Sequence, residues 1–404
     1  MLSVPDADRL LAEHAHGLAP ETVGLAQAAG RVLREPVQAD RDLPPADRVT
    51  MDGVALRSAD VVRGVRRFPV ASAQHAGEAP HSVPEGACVE VTTGSVLPVG
   101  ADAVVPVEHV RVADGVAELL GGGEAIAGRF VHRRGSDAPA GRVLVAAGTR
   151  LGPAHVAALA SVGAARVRVG PRPRVAVVTT GDELVPTSAP VLPHLIRQSN
   201  GPALAAALAL HGYPGVTAVH APDVADPLRA ALAAALAAAD VVLVTGGVSM
   251  GRLDLVPDTL AALGVRRVFH RVAQRPGKPL WFGVTAGAAV FGLPGNPVSC
   301  LTCLVRYVVP FLAAMEGAEA RPPRLVAVEP RPEAPPGLTL FAPVRLARAG
   351  AASAHAGAVR ASGSGDLVSL LPSDGIAEIA PAAVPAAVAG TTPMLAPFFP
   401  WSPT

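Results

Sequence analysis

The stretch Val175–Leu184 reads VAVVTTGDEL, an apolar run that ends in two threonines, a glycine and two carboxylates. The same arrangement returns twice: residues 241–254 read VVLVTGGVSMGRLD and residues 288–299 read AAVFGLPGNPVS. Helical stretches at Pro202–His211 and Pro227–Ala239 lie between these runs. Buried strands that alternate with helices predict a doubly wound, mostly parallel sheet with helices on its faces.

The pattern of apolar residues changes on both sides of this α/β stretch. Up to about residue 170, short apolar runs such as Ala87–Thr92 are cut by Gly and Pro, after one early helix around Asp8–His16. After Pro322 the pattern is again short and β-like, with Pro-rich joints. The predicted fold class is therefore α/β plus β, in three parts. These are a β-rich N-terminal region over 1–170 with a β subdomain at about 47–131, a central α/β domain over 171–318, and a small barrel-like β domain over 323–404.

The composition excludes several classes of protein. The 404 residues include 34 Lys and Arg against 33 Asp and Glu, a net charge of +1. Nucleic-acid proteins held by a broad basic field need clustered cations, and a polybasic membrane surface needs the same, so neither partner is expected. Three cysteines form no disulfide framework, and Asp6, Asp8 and Arg9 rule out a signal peptide at the start, so we expect a cytoplasmic protein.

One uncharged stretch, Pro279–Val305, is long enough to span a membrane. The turn cluster Pro294–Pro297 lies inside it and would break a spanning helix in mid-membrane. A buried strand, a turn and a helix are the predicted alternative.

The three strand ends of the central domain predict an anion-binding cleft. Ligands of open parallel sheets bind outside the carboxyl ends of the strands, where glycines let backbone N–H groups approach closely and a following helix adds its dipole. One such turn would be ordinary strand-to-helix punctuation, whereas three at one edge favour a site. The candidate binding residues in these turns are Thr180, Gly181, Asp182, Gly246, Gly247, Ser249, Pro294, Asn296 and Pro297.

Charged residues accompany these turns. The carboxylates of Asp182, Glu183 and Asp254 beside an anion site favour bound Mg²⁺, which would offset their repulsion of an oxyanion, although helix capping also explains Asp182 and Glu183. In the segment HRVAQRPGKP (270–279), the cations at 271, 275 and 278 can clamp a phosphate or oxyanion; the alternative is a solvated loop rim.

The remaining polar residues show no clear functional pattern when only their sequence neighbours are considered. The pair Cys300 and Cys303 has the CxxC spacing but no second pair and no nearby His, so core packing is the favoured interpretation. Asp52 and Thr93 each lie in a turn that contains glycine, and local physics gives neither of them a role.

The motifs, taken in order, resemble those of the MoeA family of molybdopterin molybdenumtransferases, to which the gephyrin E domain belongs. They are MDG (51–53), TTGSVLPVGADAVV (92–105), RRGSD (133–137), VTTGDEL (178–184), QSN (198–200), VTGGVSMGRLD (244–254), RPGKP (275–279) and GLPGNPVS (292–299). The resemblance covers nearly the whole chain. Its central part is shared with MogA-type adenylyltransferases, and the flanking parts favour the MoeA type.

The resemblance implies a multidomain homodimer with a MogA-like central domain. It implies that molybdate is inserted into adenylylated molybdopterin with Mg²⁺-dependent release of AMP, and it leaves other molybdenum cofactor enzymes as partners. It implies catalytic roles for Asp52, Thr93, Glu183 and Asp254, with Mg²⁺ on the last two, in a cleft shared by two subunits. It further implies substrate-binding roles for Asp137, Asp223, Arg271, Arg275, Lys278, Pro294 and Pro297.

Several positions depart from the family pattern: Thr50, Val54, Gln198, Arg271, Arg275 and Pro343 stand where an aromatic, an acid, lysines or other residues are usual. An enzyme is the favoured interpretation because the main acids are present. A diverged paralogue that binds molybdopterin or acts as a scaffold is one alternative, and a molybdopterin adenylyltransferase is another.

Overall fold

The central region of the computed structural model is a six-stranded sheet in the order β16-β13-β17-β21-β20-β18. The structure describes residues 1–248, 254–330, 332–347, 355–359, 363–381 and 394–403. The strands are β13 (Val175–Thr180), β16 (Thr217–Ala221), β17 (Val241–Thr245), β18 (Arg266–His270), β20 (Trp281–Val284) and β21 (Ala289–Leu293).

The first four strands in this order are parallel, which confirms the predicted mostly parallel sheet. The sheet is mixed because β20 pairs antiparallel with both β21 and β18. The edge strand β18 was not predicted, because its RRVFH pattern is short and half polar. A two-stranded ribbon, β14 (Leu184–Val185) with β15 (Ile196–Arg197), extends from the end of β13.

Alternate side chains of the central strands enter two separate cores, as helices on both faces of a sheet require. Val177 and Leu243 face a core that includes α4 (Asn200–Leu210). Val178 and Val244 face the other core, under α5 (Ala225–Ala238) and α6 (Val256–Ala262). The predicted doubly wound arrangement is therefore present.

A helical run from Pro297 to Met315 crosses the first of these cores. It consists of α7 (Pro297–Cys303), a π-helical segment (Leu304–Val308) and α8 (Val309–Met315). By length and composition it could cross a membrane, but 72% of its most apolar window is buried inside the fold. The strand, turn and helix predicted for Pro279–Val305 are all observed.

The helix α1 (Val4–His14) packs on this core rather than on the N-terminal sheet, with Val4, Ala7 and Leu11 buried in it. The guanidinium of Arg306 lies between α1 and the C-terminal region. It donates two hydrogen bonds to Asp8, at 2.8 and 2.7 Å, and one of 2.7 Å to Glu378. Three parts of the fold therefore meet at one buried cation.

The N-terminal sheet has the order β7-β4-β6-β5-β9-β8. Its elements are β4 (Gly53–Leu56), α2 (Ser58–Val62), β5 (Arg67–Gln74), β6 (Cys88–Val91), β7 (Ala103–Pro106), β8 (Val110–Ala113) and β9 (Val116–Leu119). Short ribbons connect it to the rest of the chain. They are formed by β1 (Glu21–Gly24) with β12 (Arg166–Val169), β2 (Val37–Gln38) with β11 (Val143–Val145), and β3 (Arg48–Val49) with β10 (Val131–His132), beside α3 (Pro153–Ser161).

The C-terminal region is a closed five-stranded barrel in the order β23-β24-β22-β26-β25, in which β25 pairs back to β23. The strands are β22 (Arg324–Glu329), β23 (Thr339–Leu346), β24 (His355–Ala358), β25 (Gly375–Ile379) and β26 (Met394–Pro400). The barrel-like prediction is confirmed. The barrel is joined to the central region by β19 (Gln274–Arg275), which pairs with β23.

Candidate functional site

The three Gly-containing turns meet at one edge of the central sheet, because β13, β17 and β21 are neighbours that run in the same direction. Thr179 is the register partner of Thr245, and Thr245 that of Leu293, so the turns begin at one level. Gly246 has φ +88, and a Cβ there would lie 2.4 Å from the carbonyl oxygen of Thr180. Two turns are thus packed backbone to backbone, a spacing that a side chain would prevent.

Carboxylates gather beside these turns, and we call Asp182, Glu183, Asp223 and Asp254 the acidic edge. Asp182 Oδ1 accepts a 3.0 Å hydrogen bond from the backbone N–H of Asp223, which follows the neighbouring strand β16. Burial and the charges of Asp182 and Glu183, with that of Asp254, raise the pKa of Asp223. Asp223 is therefore partly buried beside like charges, which disfavour its ionised form.

The helix-capping alternative does not describe Asp182, because its carboxylate binds the loop after another strand. Glu183 lies against its own turn, since a Cβ on Gly181 would lie 2.7 Å from the Glu183 carboxylate oxygens. Among the described residues, no group of three or more His, Cys, Asp or Glu side chains is placed to hold a metal ion. Residues 249–253, between β17 and Asp254, lie outside the described residues, and Ser249 is one of them.

The cations lie on the segment 271–278, which we call the basic loop. Arg275 and Lys278 are exposed and line a cavity of about 810 Å³ between the central region and the barrel. Pro294 and Asn296 line the same cavity, as do Pro343 and Ser364 from the barrel region. Arg271 begins the loop with φ +71 and donates its backbone N–H to Leu280. The loop is therefore the wall of a cavity and not only a solvated rim.

The turn after β21 is held by two asparagines. Asn200 Nδ2 donates a 2.7 Å hydrogen bond to the Gly295 carbonyl, and Asn296 Nδ2 donates one of 2.7 Å to Ser364 Oγ. Pro297 opens α7, but the next N–H, that of Val298, already donates to the carbonyl of Ser364 at 3.1 Å. The first turn of this helix thus offers a ligand fewer free donors than the sequence suggests.

Asp52 and Thr93 are joined directly, although 41 positions separate them in the sequence. Asp52 Oδ1 accepts hydrogen bonds from the Thr93 backbone N–H at 2.6 Å and from its hydroxyl at 2.8 Å. These two bonds, the backbone one foremost, lower the pKa of Asp52. Asp52 also lines a cavity of about 420 Å³ on the N-terminal sheet, together with His75 and Glu90. The pairing of strands β4 and β6 makes this contact, so neither neighbourhood alone reveals it.

Asp137 lies in the N-terminal part of the fold, away from the acidic edge and the basic loop. Its carboxylate is 2.9 Å from His132 Nε2, and both side chains are largely exposed. The structure thus brings together Asp182, Glu183 and Asp223 near Asp254. It places Arg275, Lys278, Pro294 and Asn296 on one cavity, which Arg271 does not line. Asp52, Thr93 and Asp137 lie on other parts of the fold.

Three of the positions that depart from the family pattern have structural roles. Gln198 Nε2 donates a 2.7 Å hydrogen bond to Thr179 Oγ1 at the end of β13. Val54 is buried in the N-terminal sheet, and Pro343 lies within strand β23. Two further residues contribute to the turn after β21 without a predicted role. Asn200 lies in the QSN motif, and Ser364 has no local signal because its contacts are made across the fold.

Comparison with known proteins finds relatives that cover nearly the whole chain. Residues 2–163 match a family described as the MoeA N-terminal region (domains I and II), and residues 176–314 match a probable molybdopterin binding domain. The molybdopterin molybdenumtransferase of Synechocystis sp. is 34% identical over 382 residues, which are 94% of this chain and 95% of that protein. Molybdopterin molybdenumtransferase 2 of Mycobacterium tuberculosis is 34% identical over 327 residues, 78% of this chain and 80% of the relative. The crystal structure of the molybdopterin biosynthesis MoeA protein of Pyrococcus horikoshii superposes over 100% of both chains with a TM-score of 0.77 at 29% identity.

Proposed function

The chain belongs to the MoeA family of molybdopterin molybdenumtransferases, and on that premise we propose that it inserts molybdate into adenylylated molybdopterin and releases AMP. The observation that carries the proposal is one sheet edge at which three Gly-containing turns and the acidic edge meet, beside a basic loop that walls a cavity. This combination suits a reaction whose substrates are anions and whose leaving group is a nucleotide.

The basic loop would supply the charge that brings two anions together. Adenylylated molybdopterin and molybdate repel each other, and Arg275 and Lys278 stand on one wall of the same cavity to offset that repulsion. The cavity of about 810 Å³ is of the size typical of small-molecule sites. Backbone N–H groups in the turns at Gly181 and Gly246 would orient the phosphate groups.

The acidic edge fits Mg²⁺ in the manner typical of phosphate-bound magnesium. Mg²⁺ usually takes one or two carboxylates and completes its shell with waters and substrate phosphates, so a closed cage of three protein ligands is not required. Burial and the neighbouring carboxylates raise the pKa of Asp223, and a divalent cation would offset the repulsion between these carboxylates. Glu183 and Asp254 would hold the ion. When bound, it would neutralise charge on the pyrophosphate link as water attacks it.

Asp52 and Thr93 would complete the site from a second subunit. Their hydrogen bonds favour the ionised form of Asp52, which makes it an acceptor at neutral pH. Because they lie on the N-terminal sheet and the acidic edge lies on the central sheet, a homodimer that places one beside the other accounts for the whole set. We place this activity in the cytoplasm, where the three cysteines, which are all free, would stay reduced.

The purified chain tests the proposal with adenylylated molybdopterin, molybdate and Mg²⁺. We expect AMP release that needs both molybdate and the metal, measured by chromatography. Binding of molybdopterin without AMP release would favour the scaffold alternative. ATP-dependent transfer of AMP onto molybdopterin would favour the adenylyltransferase alternative. Either of these results would overturn the proposed reaction.

The shared cleft has its own test, which uses two inactive variants. Asp52→Ala and Glu183→Ala damage different halves of each site, so a heterodimer of the two keeps one intact site. Random pairing then restores about a quarter of wild-type activity in a co-refolded mixture. A mixture as inactive as its parents, in which heterodimers are demonstrated by differential tags, would contradict the shared cleft.

A further inference from the structure

The basic loop rests on a buried polar layer that the proposed reaction does not itself use. Gln274, within the loop, is 0% exposed, and beneath it lie Cys303 at 0% and Tyr307 at 1%. The Tyr307 hydroxyl donates to Gln274 Oε1. Gln274 Nε2 lies 3.7 Å from Cys303 Sγ, and Cys303 Sγ lies 3.9 Å from the Gly277 carbonyl oxygen. A chain of hydrogen bonds therefore runs from the π-helical segment to the tip of the loop.

The loop tip fits closely on this layer. Gly277 has φ +91, and a Cβ there would lie 2.5 Å from Gln274 Nε2 and 2.7 Å from Cys303 Sγ. Arg275 and Lys278 lie two residues and one residue from Gly277 and are exposed, so they are held on the outside of a segment whose inside has no spare space.

Backbone hydrogen bonds hold the start of the loop and also close its tip, where the N–H groups of Val272 and Leu280 donate to the carbonyls of Lys278 and Gly277. The Ala273 N–H donates to the Leu2 carbonyl at 2.7 Å, and the Thr339 N–H donates to the Ala273 carbonyl at 2.9 Å. Beyond Arg275, the segment reaches Lys278 through Gly277, whose carbonyl is the acceptor for Cys303. The side-chain layer adds a second support from beneath, because Cys303 contacts Gly277, which lies between the two cations.

The two ionisable donors of the layer, Cys303 and Tyr307, keep their protons at neutral pH. Burial raises the pKa of Cys303 to about 12 and raises that of Tyr307 well above its usual range. The thiol can therefore donate to Gly277, and the phenol to Gln274, throughout the range in which a cytoplasmic enzyme works.

We propose that Tyr307, Gln274 and Cys303 are positioning residues that hold Arg275 and Lys278 at the spacing that binds an oxyanion. The inference rests on the proposed function, because that function gives the basic loop its ligand. It also assigns a role to one cysteine of the CxxC pair, for which the sequence favoured packing alone.

Tyr307→Phe is the decisive variant, because it removes one oxygen and leaves the ring in place. The chain has a matched control in its only other tyrosine, Tyr213, which is 3% exposed and lies near Arg150 and Glu316, away from the loop. We expect Tyr307→Phe to raise the KM for molybdate by about 3- to 10-fold, the range for one lost buried hydrogen bond, with kcat changed less. Tyr213→Phe should leave the KM at its wild-type value.

Hydrogen exchange separates this inference from the proposed reaction, since it needs no activity. The backbone N–H groups of Val272 and Leu280, which bond to Lys278 and Gly277, should exchange faster in Tyr307→Phe and at the wild-type rate in Tyr213→Phe. A wild-type chain that releases no AMP but shows this difference would refute the reaction and support the positioning role. An active wild type, with KM and exchange both unchanged in Tyr307→Phe, would overturn the positioning role.

Variants of Cys303 give an independent check. Cys303→Ser keeps a donor of similar size and should stay within about twofold of the wild-type KM, whereas Cys303→Ala loses the donor and should follow Tyr307→Phe. Equal KM values for the serine and alanine variants would show that only volume matters at this position, and would overturn the proposed hydrogen-bond chain.

Discussion

The acidic edge and the basic loop serve the same proposed reaction, but their charged side chains are supported in different ways. On the acidic edge, Asp182 and Glu183 are exposed, and the charges around Asp223 repel one another. In the basic loop, Arg275 and Lys278 are just as exposed, but the backbone between them lies on fully buried side chains. The carboxylates of the acidic edge repel one another, whereas the cations of the basic loop are held in place by a buried layer of side chains.

The difference is what a reaction between anions requires. A fixed cationic wall can bind an oxyanion without reorganisation, which is how preorganised sites lower a barrier. A cluster of carboxylates repels an anion, so it can contribute to anion binding only after a cation has bound to it. Substitutions on the acidic edge should therefore remove activity with little effect on folding, whereas a substitution at Gly277, on the buried side of the basic loop, should affect both.

The largest effect is expected on the acidic edge. Glu183→Ala and Asp254→Ala should each lower AMP release by about 10²-fold or more, because each would remove a magnesium ligand, with fold and dimer intact. Steady-state AMP release at saturating Mg²⁺ measures the loss, and circular dichroism checks the fold. Glu13→Ala is a suitable control, since Glu13 is an exposed partner of Arg9 on α1 and should be neutral. Full activity in both test variants would remove the metal assignment.

A substitution at Gly277 should test how rigid the basic loop is. Gly277→Ala should destabilise the fold by about 2–4 kcal/mol, because it adds both backbone strain at positive φ and a clash with Gln274 and Cys303. Gly264→Ala isolates the strain: Gly264 has φ +82 and nothing within 4 Å of an added Cβ, so about 1 kcal/mol is expected. Urea unfolding of the two variants measures the difference. Equal losses would mean that the loop has room to move.

Variants of Arg275 should distinguish the effect of its charge from the effect of its side-chain geometry. Arg275→Ala should raise the KM for molybdate by about 10- to 100-fold, as the loss of a charged hydrogen bond does. Arg275→Lys keeps the charge but loses the planar fork, so it should recover most of that loss and not all of it. Initial rates at varied molybdate distinguish the cases. A lysine variant as poor as the alanine variant would mean that the fork, and not the charge, binds the anion.

The same contrast explains which parts of the site the sequence could predict. The turns at Gly181, Gly246 and Gly295 follow apolar runs of one chain segment each, so periodicity and turn chemistry were enough to place them at one sheet edge. The edge strand β18 and the strand β24 were missed because short strands with polar or small residues carry no clear pattern.

Contacts across the fold were beyond prediction from local pattern. The hydrogen bonds between Asp52 and Thr93 depend on the pairing of β4 with β6, and those of Ser364 depend on how the barrel docks on the central region. The layer under the basic loop joins residues 274 and 303 in a single core, where Gln274 looks like an ordinary polar residue in sequence. Only the family resemblance pointed to Asp52 and Thr93, and nothing pointed to the layer.

The smallest expected effect tests the repulsion on the acidic edge. The raised pKa of Asp223 means that its ionised form is disfavoured by folding, so the native chain binds the proton more tightly than the unfolded chain. The penalty is absent below the unfolded pKa near 3.8, grows as the pH rises through the folded pKa, and is complete at neutral pH. Asp223→Asn should therefore raise the Tm at pH 7 by a small amount, on the order of 1 °C for a chain of this length, and by less near pH 4. Added Mg²⁺ should reduce the difference at pH 7, because the proposed ion would relieve the same repulsion in the wild type. A Tm that falls at pH 7 in the variant would show that Asp223 is held by favourable contacts, and the acidic edge would then no longer contrast with the basic loop.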